Sequence, residues 1–278
     1  MRKRFKNIPA ELIFGIAIVI LLFIIAIFAG KIAFYDPDAL LDDILNPPSA
    51  AYPFGTDGIG RDVFSRTVYG TRTSLFVGIT AAFISMVIGT IIGSISGYFG
   101  GRLDRVIYEI LNVFSMVPTL FLIILVIAVF GSNIRNVVFV IGLTSWSGTA
   151  RIMRAQSKAI KERTFVKASK VQGKSDMAII IDHIIPHGIS PVLSNAAMSV
   201  SSAILSEASL SFIGLGDPSA ISWGQLINSG RKYVFSGWWV MTFAGIAIAI
   251  TVFAFHMIGA GVNKMLNPAN EGGKHAWN

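Results

Sequence analysis

Five stretches of this chain carry no Asp, Glu, Lys or Arg over lengths that reach across a lipid bilayer: Leu12–Gly30, Thr73–Gly101, Ile110–Ile134, Gly188–Ser206 and Tyr233–Asn263. A hydrocarbon core about 30 Å thick takes roughly 20 residues of helix at 1.5 Å each. Backbone in lipid must also close its hydrogen bonds within its own segment, so each run reads as one crossing helix. A sixth run, Asn136–Ala150, is shorter and lies between Arg135 and Arg151, whose stems can snorkel to the membrane surface. It is counted as a span. Charged residues make up 14% of the 278, against about 25% in soluble domains. That deficit excludes a soluble globule, and the expected fold class is an all-α integral membrane protein with six transmembrane helices.

With both termini cytoplasmic, six spans put Arg2, Lys3, Arg4, Lys6, Arg102, Arg105, the cations from Arg151 to Lys174, Lys264 and Lys274 inside. Only Lys31, Arg61, Arg66, Arg72, Arg135, Arg231 and Lys232 fall outside. The asymmetry obeys the positive-inside rule and accounts for the net charge of +8 without any nucleic-acid partner. The basic N-terminus followed by an apolar run suggests a secretory signal, but the run is too long and no small-x-small cleavage site ends it. It reads as a retained first helix. The chain has no cysteine, which removes disulfides and thiolate chemistry.

Two segments lie outside the bilayer. Lys31–Arg72 carries turn chemistry at Asp36-Pro37-Asp38, Asn46-Pro47-Pro48 and Phe54–Asp62, and reads as an ordered excursion. Its Asp57 and Asp62 lack the acidic order of a calcium loop. They are expected to hold a capped turn that leads into an interfacial helix. Arg151–His187 is cytoplasmic. Arg151, Arg154, Lys158, Lys161 and Lys167 recur beside Ile152, Ala155, Ala159, Phe165 and Ala168 as on an amphipathic helix. Gly173 breaks that helix, and Ser175-Asp176 caps a second one, Met177–Ile185, which is expected to stop at Pro186. Such a pair is either a passive connector or a docking element.

Ala168–Ser175 imitates the phosphate-cradling G-x-x-x-x-G-K-[ST] pattern, and Ile179–Asp182 imitates a strand ending in a magnesium-binding Asp. The pairing fails on topology. A working loop follows a strand, and its Asp strand arrives after a crossover of about a dozen residues; here a basic helix comes first. His183 and His187 have a metal-binding spacing, but Pro186 is expected to interrupt the helix between them and no third ligand is evident. His256 reads as an interhelical donor. No metal site is expected. Glu207 is the one acid within or just beyond an apolar span, which marks it as a gate or helix-pinning residue ahead of a proton-coupling one.

Several segments together resemble the permease subunits of ATP-binding-cassette importers, specifically the second permease of the dipeptide, oligopeptide and nickel group. Tyr52–Arg66 is similar to that group's first-loop signature. Phe165–Gly173, with Pro186 thirteen residues on, resembles the cytoplasmic E-A-A…G…I-x-L-P loop that docks on the ATPase, although Lys167 replaces its Glu and Ser169 its second Ala. Glu207–Gly216 with Ser222-Trp223-Gly224 is similar to the segment closing the fifth helix. Gly259–Pro268 resembles the C-terminal ending, with Ala260 in place of its Asp.

The resemblance implies a type I importer permease fold, with a first helix and outer loop in residues 1–72, a permease domain in 73–263 and a tail in 264–278. It implies an ATPase-coupling loop built from Phe165, Lys167, Ala168, Ser169, Gly173, Ser175 and Pro186. Binding-protein docking falls to Gly55, Asp57, Gly60, Arg61 and Asp62, and Glu207, Ser211 and Trp223 are candidates for the gate or pathway. The implied partners are a homologous permease in a heterodimer, two ATPase subunits that use ATP and Mg, an extracytoplasmic solute-binding protein and membrane lipid. This chain itself would bind no cofactor, and its place is the inner membrane of a prokaryote. Peptide is the expected solute, with nickel or a metal chelate as the alternative. A secondary transporter would show inverted repeats or discontinuous helices around midplane ligands. A scaffold would bind ATPases without driving uptake.

Overall fold

A computed structural model describes residues 8–266. The basic cluster Arg2–Lys6, Lys274 and the Pro268 end of the C-terminal motif lie outside the described residues. In chain order the helices are α1 (Ala10–Ile27), α2 (Ala29–Ile32), α3 (Val63–Phe99), α4 (Gly101–Met116), α5 (Thr119–Phe130), α6 (Ile134–Lys161), α7 (Thr164–Val171), α8 (Asp176–Ile179), α9 (Ile185–Phe212), α10 (Trp223–Gly230) and α11 (Trp239–Leu266). A π turn at Ile180–Ile184 joins α8 to α9 as one continuous unit. Among the described residues no strand forms, and Thr56 and Asp62 make a single antiparallel bridge.

Side-chain contacts gather the helix ends into two layers. In one, the Trp239 indole donates to the Thr56 carbonyl at 3.0 Å and the Ile134 N–H donates to Asp217 at 2.9 Å. In the other, Tyr98 reaches Asp176 at 2.6 Å, Lys161 reaches the Tyr98 carbonyl at 3.4 Å and Lys264 pairs with Glu11 at 3.6 Å. The chain passes between the layers along α1, α3, α4–α5, α6, α8–α9 and α11. Four of these helices are long and apolar enough to cross a membrane alone, and the bent α4–α5 pair makes a fifth crossing if taken as one span. The remaining passage, α6, carries Arg151, Arg154, Lys158 and Lys161 in its second half and falls outside that criterion.

The packing that holds α6 is backbone-close. Gly89, Gly93 and Gly97 of α3 face Thr149, Ala150, Met153, Arg154 and Ser157 of α6 with no room for a Cβ. Between membrane helices, where lipid is as apolar as Leu, such close approach supplies the association energy through van der Waals contact. On the other side, α11 packs on α1 through Gly15 and Gly261, and on α9 through Gly259 against Met198.

Four sequence expectations are corrected. The run Ile110–Ile134 is not one straight helix. α4 and α5 meet at an angle of 86°, because Pro118 lacks a donor and pushes Val117 to extended backbone, φ −90° and ψ 124°. The span expected from Thr73 begins ten residues earlier, at Val63, so the loop leads straight into a crossing helix and not into an interfacial one. Arg66 is accommodated within α3 because it donates to the Pro37 carbonyl at 2.8 Å and to Asp38 at 2.9 Å. The basic amphipathic helix is divided: α6 runs on to Lys161, Arg163 turns extended, and α7 is a separate short helix. Finally, Pro186 does not stop the second cytoplasmic helix. The π turn shifts the hydrogen-bond register, so that the Ile185 N–H bonds to the Ile180 carbonyl and Pro186 enters α9 near its first turn, where a missing donor costs little. His183 and His187 therefore sit on continuous helix.

Candidate functional site

α7 hangs between α6 and α8 in the layer that holds Tyr98 and Asp176. Its Val166 is buried with Tyr98, Ile160, Ile179 and Ile184, which anchors one face. Phe165, Ala168 and Val171, three residues apart, are exposed on the other side, Val171 to 89%. The helix ends in a Schellman turn: the Gly173 N–H donates to the Lys170 carbonyl at 3.1 Å and the Lys174 N–H to the Ser169 carbonyl at 3.2 Å. That closure needs a left-handed residue, and Gly173 has φ +81°. The Ser175 hydroxyl then accepts from the Ala178 N–H at 3.3 Å, capping α8 as its position suggested.

The polar groups around α7 are engaged locally. Lys167 pairs with Glu162 at 3.0 Å, and this hydrogen bond, reinforced by the Lys167 charge, holds the Glu162 carboxyl below the usual range. Lys170 pairs with Asp176 at 3.4 Å and Lys174 with Asp182 at 2.8 Å. Ser169 lies 3.1 Å from His183 Nε2, and Phe165 stacks 4.9 Å from the His187 ring. Pro186 sits in the first turn of α9, next to His187. The phosphate-loop lookalike is flanked by helix on both sides, and its lysine is tied to Asp182.

One charged cluster went unnoticed in the sequence. Asp104 of α4 is buried and accepts from Arg154 (2.5 and 2.9 Å), Lys158 (2.6 Å) and the Ser96 hydroxyl (2.7 Å). It ties α3, α4 and the basic half of α6 together just above α7. Arg154 and Lys158, one turn apart beyond an apolar run, were the available signal. Their partner fifty positions away was not.

In the opposite layer, the signature loop is mostly internal architecture. Asp57 accepts from the backbone N–H groups of Ile59 (3.0 Å) and Arg61 (2.9 Å) and from the Arg61 side chain (2.8 Å). Asp62 caps α3 by accepting from the Ser65 N–H at 2.7 Å. Gly55 lies against Trp239, where a Cβ would come within 2.6 Å of the indole nitrogen, and Gly60 lies against the Leu41 carbonyl. Gly55, Asp57, Gly60 and Asp62 are all buried, leaving Arg61 as the partly accessible member of the set. Nearby, burial resists ionisation of Asp217, but bonds from the Ser219 hydroxyl and from the N–H groups of Ile134, Ser219 and Ala220 outweigh it and hold its carboxyl below the usual range.

Glu207, Ser211 and Trp223 converge, as their sequence grouping suggested. Glu207 Oε1 accepts from the Ser211 and Ser222 hydroxyls, each at 2.7 Å. The next residue, Trp223, donates its indole N–H to the Thr67 carbonyl at 3.0 Å and its backbone N–H to Ser74 at 3.2 Å. The cluster is buried and joins α9, α10 and α3. A second Schellman turn at Gly214, with the Leu215 N–H on the Leu210 carbonyl at 2.9 Å, closes α9 beside it.

Comparison with known proteins agrees with this layout. Residues 89–271 match the family described as the binding-protein-dependent transport system inner membrane component. The chain is 37% identical to the probable D,D-dipeptide transport system permease of Escherichia coli K12, over 93% of this chain and 87% of that one. It is 37% identical to the dipeptide transport system permease of Bacillus subtilis 168, over 91% and 80%. It is 39% identical to the oligopeptide transport system permease of Haemophilus influenzae, over 96% and 86%. In fold it is similar to a chain of the inward-facing MetNI methionine transporter, with a TM-score of 0.57 at 20% identity, over 72% of this chain and 96% of that one. Glycine-pressed apolar helices, a capped loop before α3 and a short helix on a Schellman turn thus occur in a chain that belongs to the family of inner-membrane components of binding-protein-dependent transport systems, the permease subunits of ATP-binding-cassette importers, whose ATP is hydrolysed by separate subunits.

Proposed function

We propose that this chain forms one half of a membrane pore that imports peptides, paired with a homologous permease and driven by two ATPase subunits through α7. The observation that carries the reading is α7 itself. A helix of 8 residues is fixed on one side by Val166 and leaves Phe165, Ala168 and Val171 uncovered on the other. Its ends are tied to α6 and, through a rigid turn, to the α8–α9 unit. A partner that moves α7 therefore moves two membrane helices as a lever, a rigid-body mode of transmission. Peptide is favoured as solute by the names of the similar permeases. Glu207, Ser211 and Trp223 pin the outer ends of α9, α10 and α3, so that this corner moves as a unit. The chain binds no nucleotide; ATP and Mg belong to the ATPase partners.

The test is reconstitution. The chain with its sister permease, ATPases and binding protein should take up peptide in an ATP-dependent way, whereas the purified chain alone should bind no ATP. Uptake that persists without the ATPases would refute the reading. The topology is part of the same proposal. Single cysteines at Ser49 and Ser219 should react with impermeant maleimide from outside the cell, and one at Ser175 should not. Reaction at Ser175 from outside would invert the assignment of the two layers and take α7 away from any cytoplasmic ATPase.

A further inference from the structure

We infer that a cationic hollow on the outer face, formed by Arg61 with Arg231 and Lys232, is the contact that receives a carboxylate from the solute-binding protein. This rests on the importer reading above and names the partner chemistry that the signature loop alone does not supply, since most of that loop is buried. The hollow measures about 310 Å³ and is walled by the Asp57–Arg61 loop and the segment from Asn228 to Tyr233. Cations are scarce on this face. Of the seven that the sequence places outside, Arg66 and Arg72 are spent on backbone carbonyls of the chain. Three of the remaining five converge here. The single acid in the wall, Asp57, is consumed: both of its oxygens accept from Arg61 or from loop N–H groups. Arg231 donates to the Phe212 carbonyl at 3.3 Å and lies 6.0 Å over the Phe212 ring, and among the described residues neither it nor Lys232 forms an ion pair. The hollow therefore carries uncompensated positive charge.

Gly58 lies directly beneath the Tyr233 ring, which brings the loop and the segment after α10 together. Beside it Phe235 is fully exposed and Trp238 half exposed. An aromatic knob next to a charged hollow has the anatomy of a protein contact, in which aromatic and Arg side chains carry the energy. One wall is the Asp57–Arg61 loop, and the other is the end of α10 with the 3-10 turn Arg231–Tyr233. Clustered cations beside a spanning helix also attract anionic headgroups, and the lipid arm of the experiment below separates the two sources.

The experiment uses the whole transporter in nanodiscs and reads ATPase activity against binding-protein concentration. In Arg231→Glu/Lys232→Glu the basal ATPase rate should be unchanged, while the half-saturating concentration of binding protein rises about tenfold or more and its salt dependence flattens, as expected when attractive interfacial charges become repulsive. Arg231→Lys/Lys232→Arg should keep the original value, and co-purification of the sister permease monitors folding of both variants. An unchanged half-saturation in the doubly reversed variant overturns the inference. So does a rise seen only in nanodiscs of anionic lipid, which would assign the hollow to headgroups. If the unsubstituted complex shows no stimulation by any binding protein, the importer reading falls with it.

Discussion

Replacing Gly173 by valine, or Ala168 by tryptophan, is expected to abolish solute uptake while leaving the chain in the membrane and paired with its sister permease. Gly173 has φ +81° with open space around its Cβ position, so the penalty comes from the backbone and not from a clash. A non-glycine residue held there costs about 1–3 kcal/mol, and a β-branched one escapes by leaving the left-handed region, which breaks the Schellman turn. The N–H groups of Gly173 and Lys174 then lose their carbonyls, and α8 no longer follows α7 at a fixed angle. Ala168 is exposed, so tryptophan there leaves the chain's own packing intact. Against a fitted ATPase cleft, overpacking costs about 1–3 kcal/mol or more. Lys167→Glu is the control. It exchanges the exposed Lys167–Glu162 pair for two neighbouring carboxylates, a surface change of at most about 1 kcal/mol, so uptake should survive unless the ATPase is matched to the lysine. Uptake in cells and co-purification of the ATPase from detergent decide the matter. Normal uptake in both disruptive variants would reduce α7 to a connector.

The second large effect is expected at Gly93. A side chain there would run into the Ala150 carbonyl and to within 2.9 Å of the Met153 Cβ, while Gly89 and Gly97 press on α6 one turn away on each side. Backbone cannot yield as a flexible side-chain tip does. Gly93→Val must therefore force α3 and α6 apart, breaking the contact that holds the least apolar of the crossing helices. The loss should reach about 3 kcal/mol or more, the upper end of overpacking effects. The measurement is thermal unfolding in detergent, followed by size-exclusion. Gly93→Val should fail to give a folded, monodisperse species, whereas Gly245→Val, where nothing lies within 4 Å of an added Cβ, should behave like the parent. Equal melting temperatures for the two would show that the α3–α6 contact is not close-packed.

Particular residues show what was legible. The Gly173 break and the Ser175 cap were readable because each depends on a few neighbouring residues whose conformational demands are local, whereas Glu207, Ser211 and Trp223 were grouped by resemblance and their joining of α9, α10 and α3 was not readable. The α4–α5 bend was misread although Pro118 was in plain view, because counting uncharged residues measures compatibility with lipid and not continuity of the backbone. Pro186 was misread in the opposite sense. A proline ends an α-helix only if the hydrogen-bond register is kept, and the π turn at Ile180–Ile184 changes it. The capped turn expected of Asp57 and Asp62 is what the structure shows, but their burial, which leaves Arg61 as the partly accessible member of the docking set, is not readable from side chains equally suited to contact a partner.

By itself the amino-acid order determined the membrane class and the approximate crossings. These follow from transfer free energies, which accumulate residue by residue along a run and need no knowledge of what packs beside it. Tertiary structure alone decided which glycines of α3 face α6, that Asp104 holds Arg154 and Lys158, that Val166 is the anchored side of α7 while Phe165, Ala168 and Val171 stay open, and that Arg61 meets Arg231 and Lys232. Each of these joins segments tens to well over a hundred positions apart. Their energies are contact energies that exist only once the helices have met.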